Sequence, residues 1–275
     1  MQQEIQSNQD IITKEIPWIV FKAGHGVFAI SSEIVSSISI LSKEITGMPE
    51  APSYVRGLVN LRDGCIPVVD LRSVLNMQTL EEEIRLFESM LEERKQDHQK
   101  WASELVRSIN QKEPFTLTSD PHQCAFGKWY DSYKTENPMV QFHLKKIDEP
   151  HKKLHNMAVR LQDALDIPNE EERMKALDDI QKQLQDEILP IMLRLLDETK
   201  QVMGESVREM MLVLDDGQKQ GGIAVDEVLR VEHLEPMKDT IKIDEYHQMN
   251  FVTGVSRSKE QIILLIDEKK LIELI

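Results

Sequence analysis

Eleven glycines are spread so unevenly along this chain of 275 residues that their placement alone suggests its architecture. Ten lie outside residues 80–200, and Gly127 stands alone inside that stretch. Glycine is costly within a helix and useful where short strands turn back on one another. The distribution therefore predicts a helical middle between two ends made of strands and turns. A length of 275 residues is about two ordinary domains, and a hydrophobic content of 40% is enough for real cores.

The first flank reads as short strands. Residues 18–21 and 26–30 are apolar runs separated by Lys22-Ala23-Gly24-His25, a hairpin signal. Residues 34–40 mix β-branched and small polar side chains, as a half-buried strand does. Residues 55–61 meet the turn Arg62-Asp63-Gly64, and residues 65–71 follow it. Pro67 has no N–H to give to a ladder, so this strand is predicted to lie at a sheet edge or to bulge there. Cys65, opening an apolar strand, is expected to be buried. The second flank repeats the style at residues 211–214, 221–225, 228–234, 251–255 and 261–266, with a short helix at 267–274. Several short strands with turns between them argue for a small barrel or sandwich. Neither flank is long enough to make a comfortable domain alone, which predicts one β domain interrupted by an insertion.

Within the middle, Leu80, Ile84, Phe87, Leu91, Trp101, Leu105 and Ile109 recur close to helical spacing. Asp120-Pro121 supplies an N-cap and first-turn signal for a second helix containing residues 124–133. Pro138 opens a third helix through His151, His155 and Leu165. Pro168 opens a fourth, with a kink expected near Pro190. Four such helices make a bundle.

Charge and cysteine content narrow the function. Thirty-three Lys+Arg against 48 Asp+Glu leave a net charge of −15, which repels phosphate and anionic lipid surfaces. Nucleic-acid binding and membrane insertion are therefore not expected. The two cysteines, Cys65 and Cys124, are too few for a disulfide framework. Residues 1–15 are polar, lack the features of a signal peptide, and are expected to be flexible. The longest aliphatic run, residues 262–266, is far short of the roughly 20 residues that span a bilayer. A cytoplasmic protein is expected.

Five of the eight histidines fall between His98 and His155, and Cys124 lies in the same window. His151 and His155 are four apart, so on a helix they project from one face, one turn apart. With His98 on the first helix and Cys124 near the start of the second, a bundle core could bring all four together. Three nitrogens and a thiolate suit tetrahedral zinc. The plainer accounts stay open: such a histidine pair is common on polar helix faces, and a single cysteine is most often a small apolar filler. His122 precedes its helix, and His143 has only Ile147 one turn away. Trp101 reads as bundle core.

The string His98-Gln-Lys-Trp101, then Cys124-Ala-Phe-Gly-Lys-Trp-Tyr130, then His151-Lys-Lys-Leu-His155 resembles the chemoreceptor zinc-binding domain. That resemblance implies a four-helix bundle whose zinc is held by three histidines and one cysteine, here His98, Cys124, His151 and His155. The flanks are similar to a CheW-like coupling domain. Gly26-Val-Phe-Ala-Ile30, Pro52-Ser-Tyr-Val-Arg-Gly-Leu-Val-Asn-Leu-Arg62 and Ile66-Pro-Val-Val-Asp-Leu-Arg72 resemble its first half. Gly222-Ile-Ala-Val-Asp226, Phe251-Val-Thr-Gly-Val255 and Ile263-Leu-Leu-Ile-Asp267 resemble its second. The implied fold is α+β, a pair of small SH3-like β-barrels interrupted by an inserted all-α four-helix bundle. The parts are residues 16–76, the bundle at 77–205, and residues 206–275. The resemblance also implies partners, namely the histidine kinase CheA and the cytoplasmic signalling domain of a chemoreceptor. Arg62 resembles the family's receptor-contacting arginine, although Asp63 follows it in place of the usual glycine and residues 34–40 offer it no acidic partner.

Together these readings predict a non-enzymatic chemotaxis scaffold with a built-in zinc–thiolate sensor, responsive to oxidant or to zinc. Zinc keeps a coordinating cysteine deprotonated, and the thiolate is the form oxidants attack, so Cys124 is the expected redox-reactive group. One alternative is the same scaffold with a purely structural zinc. A zinc-dependent hydrolase would need an open coordination position and a general base, and no H-E-x-x-H pattern occurs.

Overall fold

The protein is described here by a computed structural model covering residues 16–61, 64–237, 251–259 and 261–275. In chain order its elements are β1 (Trp18–Ala23), β2 (Gly26–Ser31), β3 (Val35–Ile40), β4 (Val55–Leu61), β5 (Gly64–Asp70) and α1 (Leu71–Val74). Next come α2 (Leu80–Gln111), α3 (Ala125–Ser132), α4 (Pro138–Leu165), α5 (Glu170–Gln183) and α6 (Leu189–Ser206). The chain then forms β6 (Met210–Asp215), β7 (Gln220–Val225), β8 (Glu227–Glu232), β9 (Val252–Ser258), β10 (Gln261–Ile266) and α7 (Glu268–Glu273). Residues 81–207 form one compact unit, and the segments on either side of them form the other.

The β unit holds two five-stranded sheets, ordered β8-β1-β2-β10-β9 and β3-β6-β7-β5-β4. Successive side chains of a strand point to opposite faces, so an alternating split of apolar residues reveals which faces are covered. In β1, Ile19, Phe21 and Ala23 enter one core while Val20 enters another. In β6, Leu212 and Leu214 join that first core while Met211 and Val213 line a third. The first core is therefore shared by the inner faces of both sheets, and each sheet has a smaller apolar cluster on its outer face.

Both sheets draw strands from both flanks. β2 pairs in parallel with β10, and β5 pairs in parallel with β7 at Val68↔Gly222, Val69↔Ile223 and Asp70↔Ala224. The helical insertion leaves after β5 and returns at β6, two strands of one sheet, so it does not separate two barrels built from one flank each. A flank without its counterpart would leave the ladders of both sheets broken.

Two local expectations are corrected. β5 is not an edge strand: it lies between β7 and β4, and the register shift falls in β4 between Val55 and Gly57. Pro67 is tolerated because the ladder with β7 begins one residue later, at Val68. Cys65 is exposed, not buried, because strand alternation turns Ile66 inward and leaves the thiol outward, 2.7 Å from Asn60 Oδ1.

The helical unit has four runs of unequal length: α2, the short α3, α4, and α5 continuing into α6. Lys95 pairs with Asp197 at 2.7 Å and Glu92 pairs with Lys200, so α2 and α6 are antiparallel. Asn137 bonds Ser206 at 2.7 Å and Arg160 bonds Gln183 at 2.6 Å, so α4 is antiparallel to the α5–α6 run. It follows that α2 and α4 run parallel, and residues 112–137, α3 among them, must return along the bundle from the end of one to the start of the other. Leu91, Leu105, Ile147, Leu154, Leu161, Leu184 and Leu196 form the centre of the core. The irregularity expected at Pro190 is a π turn over Leu184–Ile188, directly before the proline-bearing first turn of α6. Among the described residues, no helix is long and apolar enough to cross a membrane.

Candidate metal centre

On α2, Leu91, His98, Ala102 and Leu105 fall on one helical stripe, all buried, so His98 faces the core with its apolar neighbours. On α4, Ile147, His151, Leu154, His155 and Leu161 do the same. The parallel course of the two helices sets these histidines at one level. His98, His151 and His155 are only 2%, 4% and 0% exposed.

Cys124 arrives by a different route. The sequence pointed to Asp120 as the cap of α3, but the Asp120 carboxylate accepts from the His122 N–H in a turn upstream. Cys124 is itself the N-cap: its Sγ accepts the Gly127 N–H at 3.2 Å. A sulfur can take this place because the first N–H groups of a helix need any acceptor that reaches them. Gly127 is required by close approach, since a Cβ there would lie 1.9 Å from the Pro121 carbonyl oxygen.

The four residues each bring a donor atom into a cluster whose members all lie within 4.8 Å of one another. Cys124 Sγ and His151 Nε2 are 3.2 Å apart. His98 Nδ1 faces the Arg94 carbonyl at 2.7 Å, and His155 Nδ1 faces the Thr118 carbonyl at 3.2 Å. A carbonyl only accepts, so both Nδ1 atoms carry the proton, and both Nε2 atoms are left as bare lone pairs. Those two Nε2 atoms are buried with no hydrogen-bond partner. Buried polar atoms are nearly always satisfied, and two orphans converging on a thiol and a third imidazole form a set that one metal ion would satisfy.

The electrostatics of the protein alone favour neutral groups. Burial pulls His151 down to about 3 and His155 to about 4, with neighbouring histidines adding to the push, and burial also lowers His98. Burial raises the Cys124 thiol against the pull of the Gly127 and Phe126 N–H groups. Neutral imidazoles are the metal-binding form, so the site disfavours protons where donor lone pairs are needed.

Around the donors, Phe126 meets His98 and His151 edge-on, with ring centroids at 5.8 and 4.9 Å. Trp101, expected as core, is buried and also lies 4.9 Å from the His155 ring. The carbonyls of Arg94 and Thr118 escaped the sequence reading because a backbone oxygen leaves no residue-type signal. His122 stays outside the cluster, exposed and 2.9 Å from Asp131, and His143 does not join it either. Arg62 lies outside the described residues.

Comparison with known proteins places this geometry in a family. The sequence model of the CheW-like domain matches residues 17–96 and 180–275, well over half of the chain. The chain belongs to the CheW-like domain family. That of the chemoreceptor zinc-binding domain matches residues 98–162, so the CheW-like domain is split around it, and all four clustered residues fall inside this match. Both CheW-like stretches run into the helical unit, as far as residue 96 and again from residue 180. The chain is 36% identical over 67 residues to chemotaxis protein CheW of Rhizobium meliloti (strain 1021), covering 24% of this chain and 43% of that protein. Against the crystal structure of scaffolding protein TtCheW from Thermoanaerobacter tengcongensis, the identity is 12%, coverage is 92% of this chain and 89% of that one, and the TM-score is 0.39.

Proposed function

We propose that this CheW-like protein is a chemotaxis coupling scaffold linking a chemoreceptor signalling domain to the histidine kinase CheA. In this reading the insert, residues 77–205, holds one zinc ion through His98, Cys124, His151 and His155, and reports oxidant or zinc supply to the coupling module. The observation that carries the metal part is the pair of buried, partnerless Nε2 atoms converging on Cys124 Sγ and His151 Nε2. Three imidazole nitrogens and one sulfur are the donor number and types of a closed tetrahedral zinc site. Arg62 remains the candidate receptor contact.

Bound zinc would keep the Cys124 sulfur as thiolate and stabilise the fold of the insert. The chain's own groups do the rest. The Arg94 and Thr118 carbonyls hold two imidazoles in the donor-ready tautomer. Four protein donors leave no position for a reacting water, which argues against hydrolysis. The Cys124 thiolate would react with hydrogen peroxide to give sulfenic acid and hydroxide, or with hypochlorous acid to give sulfenic acid and chloride, the sulfur losing two electrons in each case. Because the same sulfur caps α3, its oxidation also disturbs the first turn of that helix. Trp129 on α3 and Tyr133 at its C-cap pack against Phe87, with centroids at 6.0 and 5.6 Å, in the early turns of α2. A shift of α3 is thereby felt close to where the chain enters the insert from the β unit.

Metal analysis of the purified protein tests the site: about one zinc per chain is expected in wild type and little in Cys124→Ala. A zinc content untouched by that change overturns it. Capture of CheA and of a receptor signalling tip tests the coupling role, and binding to neither overturns it. If peroxide-treated protein keeps its zinc and its partners, the metal is structural only.

A further inference from the structure

The stretch between α2 and α3 has little regular structure, yet it must deliver both the Thr118 carbonyl and Cys124 to the centre. Its tie to the bundle is specific. The Trp101 indole N–H donates to Thr118 O at 2.9 Å, and His155 Nδ1 meets the same oxygen at 3.2 Å. A carbonyl has two lone pairs, so it can serve both donors, one from α2 and one from α4. Trp101 is wedged between Phe115, at 4.9 Å and 69°, and His155, at 4.9 Å and 52°. The three histidines differ in what holds them. His98 uses the Arg94 carbonyl one turn back on its own helix, which is present whenever α2 is folded. His155 depends on a carbonyl from an irregular segment, and that carbonyl must be put in place by something else.

We propose that Trp101 is a positioning residue of the metal centre: by holding the Thr118 carbonyl, it keeps the His155 proton on Nδ1 and leaves Nε2 free as a donor. Its effect on zinc rests on the zinc reading above; its effect on the His155 tautomer does not. A neutral imidazole has a single ring proton, and an Nε2 that carries it offers no lone pair. Without the Trp101 N–H, Thr118 O loses its anchor on α2, and the His155 proton is no longer confined to the far side of the ring. Groups that orient ligating histidines in this way typically change metal affinity by about 10–100-fold when removed.

The test compares wild type with Trp101→Phe, which keeps an aromatic ring and removes the N–H. A second variant replaces Trp101 by 3-benzothienylalanine, which exchanges the N–H for sulfur at almost constant shape and so guards against a packing defect. Imidazole nitrogen-15 NMR of the metal-free proteins reads the tautomer. We expect His155 protonated at Nδ1 in wild type and shifted towards Nε2 in both variants, with His98 unchanged. Zinc affinity, measured by competition with a chromogenic chelator, should fall by about 10–100-fold in both. A His155 that stays protonated at Nδ1 in the benzothienyl variant overturns the proposal, and so does unchanged zinc affinity there. Should wild type bind no zinc at all, the zinc reading fails, and the tautomer still decides the role of Trp101.

Discussion

Arg56 in β4 donates from one guanidinium nitrogen to both carboxylate oxygens of Glu209, at 2.7 and 2.6 Å, and that nitrogen lies 3.7 Å from Asp70. Asp70 ends β5, just before the chain leaves for the helical insert, and Glu209 directly precedes β6, where the chain returns. One arginine side chain thus ties the outgoing and incoming segments of the β unit together. Burial holds the Glu209 carboxyl above its ordinary range, and the charge of Arg56 opposes that push.

The Arg56→Met variant should therefore lose about 3 kcal/mol of β-unit stability, the low end for breaking a buried pair because both side chains keep some exposure. Urea denaturation measures it. Arg56→Met with Glu209→Leu should recover part of the loss, since the Glu209 carboxylate is then gone while that of Asp70 still lacks the arginine beside it. A single variant as stable as wild type would show that the pair contributes nothing.

Gly127→Ala places a methyl group against the Pro121 carbonyl, where a Cβ would stand at 1.9 Å. Backbone on both sides of the contact leaves little room to yield, so the cost should be about 1–3 kcal/mol, as for overpacked cores. Zinc content should fall with it, because the same turn aims Cys124. Thermal melts and metal analysis of the variant check both; a variant as stable as wild type with full zinc would contradict the packing argument.

In the metal-free protein, acid should destabilise the helical unit. His151 and His155 are held at about 3 and about 4 when folded, and His98 is lowered as well, against an ordinary value of about 6.5 in the unfolded chain. Between those limits the unfolded chain binds more protons, so stability is full above about pH 6.5 and is lost as pH falls towards 3. Urea midpoints at pH 7, 6 and 5, followed by the fluorescence of Trp101 and Trp129 in a Trp18→Phe background, should decline steadily. The double variant His151→Gln, His155→Gln should flatten that decline, and an equal slope in both proteins would refute the assignment.

The two thiols should differ in reactivity. Cys65 is exposed, whereas Cys124 is half-buried in the cluster. A disulfide reagent such as Ellman's should titrate about one thiol in the zinc-loaded native protein and about two after chelation. The Cys65→Ser variant should show almost none until zinc is removed. Rapid labelling of Cys124 by this bulky reagent with zinc bound would argue against its being an enclosed ligand, an exclusion that does not extend to small oxidants such as peroxide and hypochlorous acid.

Much of this organisation could be read from residue order because it follows from local rules. Glycine scarcity marked the helical middle, and short apolar runs bounded by turn residues located most strands within two residues of their observed bounds. The four-residue spacing of His151 and His155 puts both on one face of any helix. These features depend on neighbours in sequence, where backbone geometry alone decides which side chains can meet.

What the sequence by itself determined is therefore the kind of each segment, the nesting of a helical unit within a β unit, and the identity of four residues able to meet at one point. Tertiary structure decided the pairings across the insert: β5 alongside β7, Pro67 in a central strand, and Arg56 between Asp70 and Glu209. It also decided that α2 and α4 run parallel, that Cys124 caps α3, and that Trp101 and His155 share the Thr118 carbonyl. The Cys124 cap is local, to the Gly127 N–H three residues on, and went unread because cysteine is not a usual cap. Each of the others joins residues far apart in the chain or uses a backbone oxygen, and neither is encoded by residue type at a local spacing.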